Sequence, residues 1–126
     1  MILLGIDYGR KRIGLALAVN NIVEPRKSIV WREKKKEELF LKIKEICSQE
    51  KVEKIVVGLS HGKMGQETRR FVDELKKIVG LPVELVDETL TSWQAEKMVG
   101  WRHKNKIDAV AAALILERYL DKLAFN

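Results

Sequence analysis

Residues 1–19, MILLGIDYGRKRIGLALAV, decide how the rest of the chain is read. The run ILLGID is short and apolar, RIGLALAV is a second such run, and a tight Gly-containing turn separates them, so the pair reads as a β-hairpin. The first run ends on Asp7, and Arg10, Lys11 and Arg12 follow at once. A carboxylate at the end of an apolar strand is poorly solvated and needs a partner.

Outward from the hairpin, a third strand is expected around KSIVW, after Pro25. In EKKKEELFLKIKEICSQEK, the residues Leu39, Phe40, Ile43, Ile46 and Cys47 recur at helical spacing over a charged opposite face. The lysines at 34–36 read as the solvated first turn of that helix. KIVVGL is continuously apolar, as in a strand covered on both faces of a parallel sheet. QETRRFVDELKKIV is a second amphipathic helix, stopped by Gly80 and Pro82. VELVD is a further strand. TSWQAEKMV follows as a helix with Thr91 and Gln94 at capping-box spacing, ending at Gly100. Asn105 can cap KIDAVAAALILERYL, whose stretch from Ile107 to Leu116 is apolar on nearly every face except at Asp108. The order, βββαβα then a strand and two helices, gives an α/β mixed sheet whose early strands are antiparallel and whose later ones return through helical crossovers. In such sheets ligands gather beyond the carboxyl ends of the parallel strands, where Asp7, Asp87 and Glu88 fall.

A chain of 126 residues fits one domain with a single core. Its apolar runs are far shorter than a membrane span, and the first lacks the basic leader and cleavage pattern of a signal peptide, so a cytoplasmic protein with no membrane partner is expected. Cys47 cannot form an internal disulfide and reads as core. The net charge of +6 and pI near 9.5 favour a polyanionic partner, though thermophile surfaces are also rich in Lys and Glu.

Singly, each carboxylate has a local explanation: Asp7 in its own turn, Asp87 and Glu88 leading into a helix, Asp108 complementing a helix dipole. Together they ask for more. Two carboxylates about 4 Å apart repel by about 4 kcal/mol at an effective dielectric near 20, so a convergent set needs a proton or a cation. Hard oxygen ligands suit Mg²⁺ or Mn²⁺, and carboxylates holding one or two such ions are a common design for cutting phosphodiesters. Arg10, Lys11 and Arg12 beside Asp7, with Arg102, Lys104 and Lys106 beside Asp108, would then hold flanking phosphates.

GIDYGRKRIGLAL, VGLSHGKMGQE, VDETLTSWQA and KIDAVAAALILERYL resemble, in order and spacing over almost the whole chain, the YqgF family of RuvC-like proteins with a ribonuclease H fold. The resemblance implies a five-stranded mixed sheet with the first strand central, its first three strands antiparallel and its last two parallel to the first. It also implies a cytoplasmic nuclease using Mg²⁺ or Mn²⁺, with two ions expected, at a site of Asp7, Asp108 and either Asp87 or Glu88. Where RuvC resolvases carry a glutamate, at the end of the fourth strand, this chain has Gly58-Leu59, so the second ligand must come from the next strand. The longer Glu88 is the first choice, with Asp87 close behind. The implied partners are structured RNA, above all the 5′ end of precursor 16S rRNA, with branched DNA as the alternative. Ribosomal particles and a monomer or homodimer are both compatible with it. The chain departs from the family's usual residues at Arg10, Ala18-Val19, Ser60, Met64 and Thr89. Those departures motivate a competing reading as a non-catalytic nucleic-acid or ribosome-binding module. GIDYG also resembles the phosphate loop of actin-like ATPases, which clamp nucleotide between two domains where this chain supplies one. His61 and His103 read as solvated loop residues, and Trp93 and Trp101 as packing or contact residues.

Overall fold

The computed structural model describes residues 1–87 and 107–124, with side chains at all of these except 107 and 108. Its strands are β1 (Ile2–Asp7), β2 (Arg12–Val19), β3 (Ile22–Val30), β4 (Lys54–Leu59) and β5 (Val83–Asp87), and its helices are α1 (Lys36–Gln49), α2 (Gly62–Val79) and α3 (Ile107–Ala124). The strands form one sheet in the order β3-β2-β1-β4-β5. β1 pairs antiparallel with β2 and parallel with β4, β2 antiparallel with β3, and β4 parallel with β5. The mixed five-stranded sheet with a central first strand is therefore as expected.

Strand alternation sorts the apolar side chains onto two faces. Leu4, Ile6, Ile13, Leu15, Ile55 and Val57 pack under α1 and α2, against Leu39, Phe40, Ile43, Phe71, Val72 and Leu75. Leu3, Ala16, Ala18, Val56 and Val86 pack under α3, against Ala112, Ala113, Ile115, Leu116 and Tyr119. The α3 face is built from small residues. Gly5 and Ala16 on the sheet meet an alanine-rich helix, so helix and sheet approach closely; a Cβ at Gly5 would lie 2.6 Å from Leu116 Cγ and 2.8 Å from the Ala112 carbonyl oxygen. Glycine at position 5 fixes where α3 rests along β1.

Two boundaries differ from expectation. β3 starts at Ile22 and runs through Pro25, because β3 is an edge strand, where proline is tolerated. Its entry is a two-residue turn, Asn20-Asn21, with φ of 51° and 71°, the type I′ geometry that matches strand twist. α2 begins at Gly62, a turn before the expected start, since Gly65 fits against the Ser60 carbonyl where a side chain would collide. Gly80 ends it at φ 67°, as expected. The lysine run divides: Lys34 and Lys35 lie in an exposed 3-10 turn, while Lys36 opens α1 and bonds Glu74 at 2.8 Å. Among the described residues no helix is long and apolar enough to cross a membrane. Asn105 and the expected helix from Thr91 to Gly100 lie outside the described residues.

Candidate active site

Four strands, β1, β3, β4 and β5, run in one direction, so their carboxyl ends share one edge of the sheet. Asp7 closes β1 there and is half-buried. It has the parity of Leu3 and Gly5, which places it on the α3 face. The β1–β4 ladder pairs Ile6 with Val57, so the next level holds Asp7 and Gly58, and Gly58 pairs in turn with Val86. Gly58 contributes no side chain between the two outer strands.

α3 runs antiparallel to β1. Lys54, which pairs with Leu3, bonds the Tyr119 hydroxyl at 3.0 Å, whereas Gly5 faces Leu116 and Ala112. From Gly5 to Asp7 the strand advances about 6.6 Å, and from Ala112 back to Asp108 the helix advances about 6 Å. The backbone at Asp108, in the first turn of α3, is thus level with Asp7 and on the same face.

Asp87 ends β5 with the parity of Val83 and Leu85, which pack on the α1 and α2 side. It is turned away from the Asp7 face. Its Oδ1 lies 3.6 Å from Nε2 of His61, the residue that precedes α2, and both side chains are more than half exposed. His61 is solvated as expected, but it has this neighbour. Glu88, Arg102, Lys104, Lys106, His103, Trp93 and Trp101 lie outside the described residues, as does the Asp108 side chain. Among the described residues no three His, Cys, Asp or Glu side chains gather closely enough to hold a metal ion.

The turn after Asp7 is held from below by aromatic rings. Tyr8 packs on Phe71 with centroids 4.9 Å apart and on Trp31 at 6.0 Å. Burial, and then the carboxylates of Glu67 and Glu33, hold its phenol above the ordinary tyrosine value. The Trp31 indole N–H donates to the Gly9 carbonyl at 2.8 Å, and the Trp31 backbone N–H donates to the Lys11 carbonyl at 3.0 Å. Gly9 is required here because a Cβ would stand 2.5 Å from the Arg12 carbonyl oxygen. Arg10, Lys11 and Arg12 all reach solvent. Arg10 is also tied to α2: its Nε lies 2.9 Å from Glu67 Oε2, and that hydrogen bond raises the guanidinium pKa further. Trp31 and Glu67 carry this turn, and neither stands out in the sequence. Their contacts span 22 and 57 residues, beyond any local pattern.

A family model described as RuvX, Holliday junction resolvase, matches residues 1–122. Relatives named "Putative pre-16S rRNA nuclease" include one from Bordetella petrii, 37% identical over 96% of this chain and 95% of its own, and one from Thermosynechococcus vestitus, 37% identical over 94% and 86%. Among solved structures, T. thermophilus RuvC in complex with a Holliday junction substrate superposes with a TM-score of 0.64 at 15% identity, over 97% of this chain and 96% of that one. The Fowlpox virus resolvase bound to Holliday junction DNA gives 0.59 at 12% identity, over 98% and 99%. At those identities the two resolvases establish the fold alone.

Proposed function

Since the chain belongs to the RuvX family, we propose that it is a divalent-metal-dependent endonuclease that cuts structured RNA, with the 5′ end of precursor 16S rRNA in ribosomal particles of the cytoplasm as its substrate. The observation that carries this reading is the placement of Asp7 at the carboxyl end of the central strand, on the face where α3 begins. The names of the relatives favour precursor rRNA over branched DNA.

The carboxylates suit a hard cation, which would be Mg²⁺ or Mn²⁺ held by Asp7, Asp108 and Glu88; when bound, it supplies charge stabilisation at the scissile phosphate and an activated water. Asp7 offers an anionic oxygen from a rigid strand, so its position is fixed before substrate arrives. Glu88 is preferred to Asp87 for its longer side chain, and because Asp87 occupies the α2 face, away from Asp7. Asp108, in the first turn of α3, gains from the helix dipole as an anion. Arg10, Lys11 and Arg12 hold the neighbouring phosphates, and Arg102, Lys104 and Lys106 are assigned the same role on sequence grounds.

The test incubates the protein and its Asp7→Asn variant with a precursor 16S rRNA fragment and with a four-way DNA junction, in Mg²⁺, Mn²⁺ or EDTA. Metal-dependent cutting of the RNA, reduced far more than tenfold in the variant, is expected. Retention of more than a tenth of the activity in Asp7→Asn would remove the foundation of the assignment. Preferential cutting of the junction would move the substrate to DNA, and tight metal-independent binding without cutting would leave a binding module.

A further inference from the structure

Charge is segregated along the edge that carries the site. Across the order β3-β2-β1-β4-β5, the β1 and β5 end holds Asp7 and Asp87, while the β2 and β3 end holds Arg12, which pairs with Val30, and then Arg32, Lys34 and Lys35 just past β3. Trp31 joins the two basic turns into one surface, since its indole and backbone N–H groups both bond the turn of Gly9 and Lys11. The lysine run reads alone as a solvated helix start; in the fold it follows β3 at the same edge of the sheet as the turn after Asp7.

We infer that Arg32, Lys34 and Lys35, continuing from Lys11, form a second, non-catalytic phosphate-binding rim that carries the nucleic-acid backbone away from the cut. This deepens the nuclease reading and rests on it. Three features support the rim. First, two neighbouring cations are already paired, Lys36 with Glu74 at 2.8 Å and Arg10 with Glu67 at 2.9 Å. By contrast, Lys11, Arg32, Lys34 and Lys35 are exposed and have no carboxylate within 4.0 Å among the described residues. Second, the rim borders a cleft of about 150 Å³ lined by Val30, Trp31, Arg32, Lys35 and Lys42, with Glu38 the sole carboxylate on its wall. Third, Val30 is 72% exposed at its mouth, so cations and an apolar side chain meet, the combination that suits a sugar-phosphate strand with unpaired bases. Glu33, within the 3-10 turn, subtracts one charge and leaves the turn of Arg32 to Lys35 at a net of two positive charges.

The test measures binding of a hairpin RNA with a single-stranded 5′ extension, by fluorescence anisotropy across a salt series, for the wild type and two double variants. Arg32→Ala/Lys35→Ala removes two rim charges. Lys51→Ala/Lys122→Ala removes two charges near the ends of α1 and α3 at the opposite edge of the sheet. The rim variant is expected to bind about tenfold more weakly, with the slope of log K against log salt reduced by about 1.4, roughly 0.7 per lost single-strand contact. Its cleavage rate at saturating RNA should stay within about twofold of wild type, because no reacting group is touched. The opposite-edge variant should match wild type. An unchanged affinity and slope in the rim variant, or equal weakening in both variants, would overturn the rim. A wild type that binds the RNA but never cuts it sinks the nuclease reading alone, and the same binding comparison still decides the rim. A wild type that does not bind sinks both.

Discussion

Trp31 donates its indole N–H to the Gly9 carbonyl at 2.8 Å, and through that bond the end of β3 holds the turn that follows Asp7. Trp31→Phe keeps an aromatic ring against Tyr8 but leaves the Gly9 carbonyl without its donor. The expected loss is about 1–2 kcal/mol of stability in urea denaturation. Cleavage should fall more than that loss explains, because the variant stays folded at assay temperature while the Arg10 to Arg12 turn loosens. Unaltered kcat and KM would show that the turn is rigid without the tryptophan.

Gly5→Ala forces a methyl group toward Leu116 Cγ and the Ala112 carbonyl oxygen. The leucine side chain can turn aside, but the helix backbone cannot. We expect a cost of about 1–3 kcal/mol and a displaced α3. Since α3 brings Asp108 to the level of Asp7, activity should drop in the surviving folded fraction. Circular dichroism against urea, with the m-value unchanged, separates the two effects.

Asp87 and Glu88 are adjacent in the sequence, and Asp87 lies on the α2 side of the sheet. Glu88→Gln is expected to lower kcat by more than the roughly 10–100-fold typical of an outer-shell partner, whereas Asp87→Asn should lose less than about tenfold. The reverse ranking would put Asp87 in the metal set and His61 beside it. Single-turnover assays at several Mg²⁺ concentrations distinguish lost metal affinity from lost chemistry.

Alkaline pH should destabilise the protein. Burial pushes the Cys47 thiol up to about 11, from an ordinary 9.0, and also raises the Tyr8 phenol. Both groups hold their protons in the folded chain at a pH where the unfolded chain has released them, so stability falls as pH rises above 9. For Cys47 the loss between pH 9 and 11 is about 2 kcal/mol. The folded protein at pH 8 should accordingly resist iodoacetamide, and the thiol should react only once urea opens the core. Rapid labelling in native buffer would contradict this burial.

Much of the architecture is legible because each strand is a short apolar run and each helix repeats at its own period. ILLGID, RIGLALAV, KIVVGL and VELVD form strands with the limits the runs mark. What misleads is local chemistry whose meaning depends on position. Pro25 reads as a strand breaker until β3 is known to be an edge, and Asn20-Asn21 carries a hairpin signal that the proline overshadows. Gly62 and Gly65 look like a loop, yet one of them makes room for the carbonyl against which α2 starts. The position of Asp7 at the carboxyl end of the central strand is legible from its place at the end of an apolar run. That Asp87 turns away from the Asp7 face is not, because parity has meaning only once α2 and α3 are assigned to opposite faces of the sheet.

The contact of Gly5 with α3 has a further bearing on how this chain can vary. It fixes the helix lengthwise against β1 by packing alone, from within the core. The 88–106 segment joining β5 to α3 therefore need not act as a ruler. The levels of positions 7 and 108 are thus set inside the core rather than by the length of sequence between them.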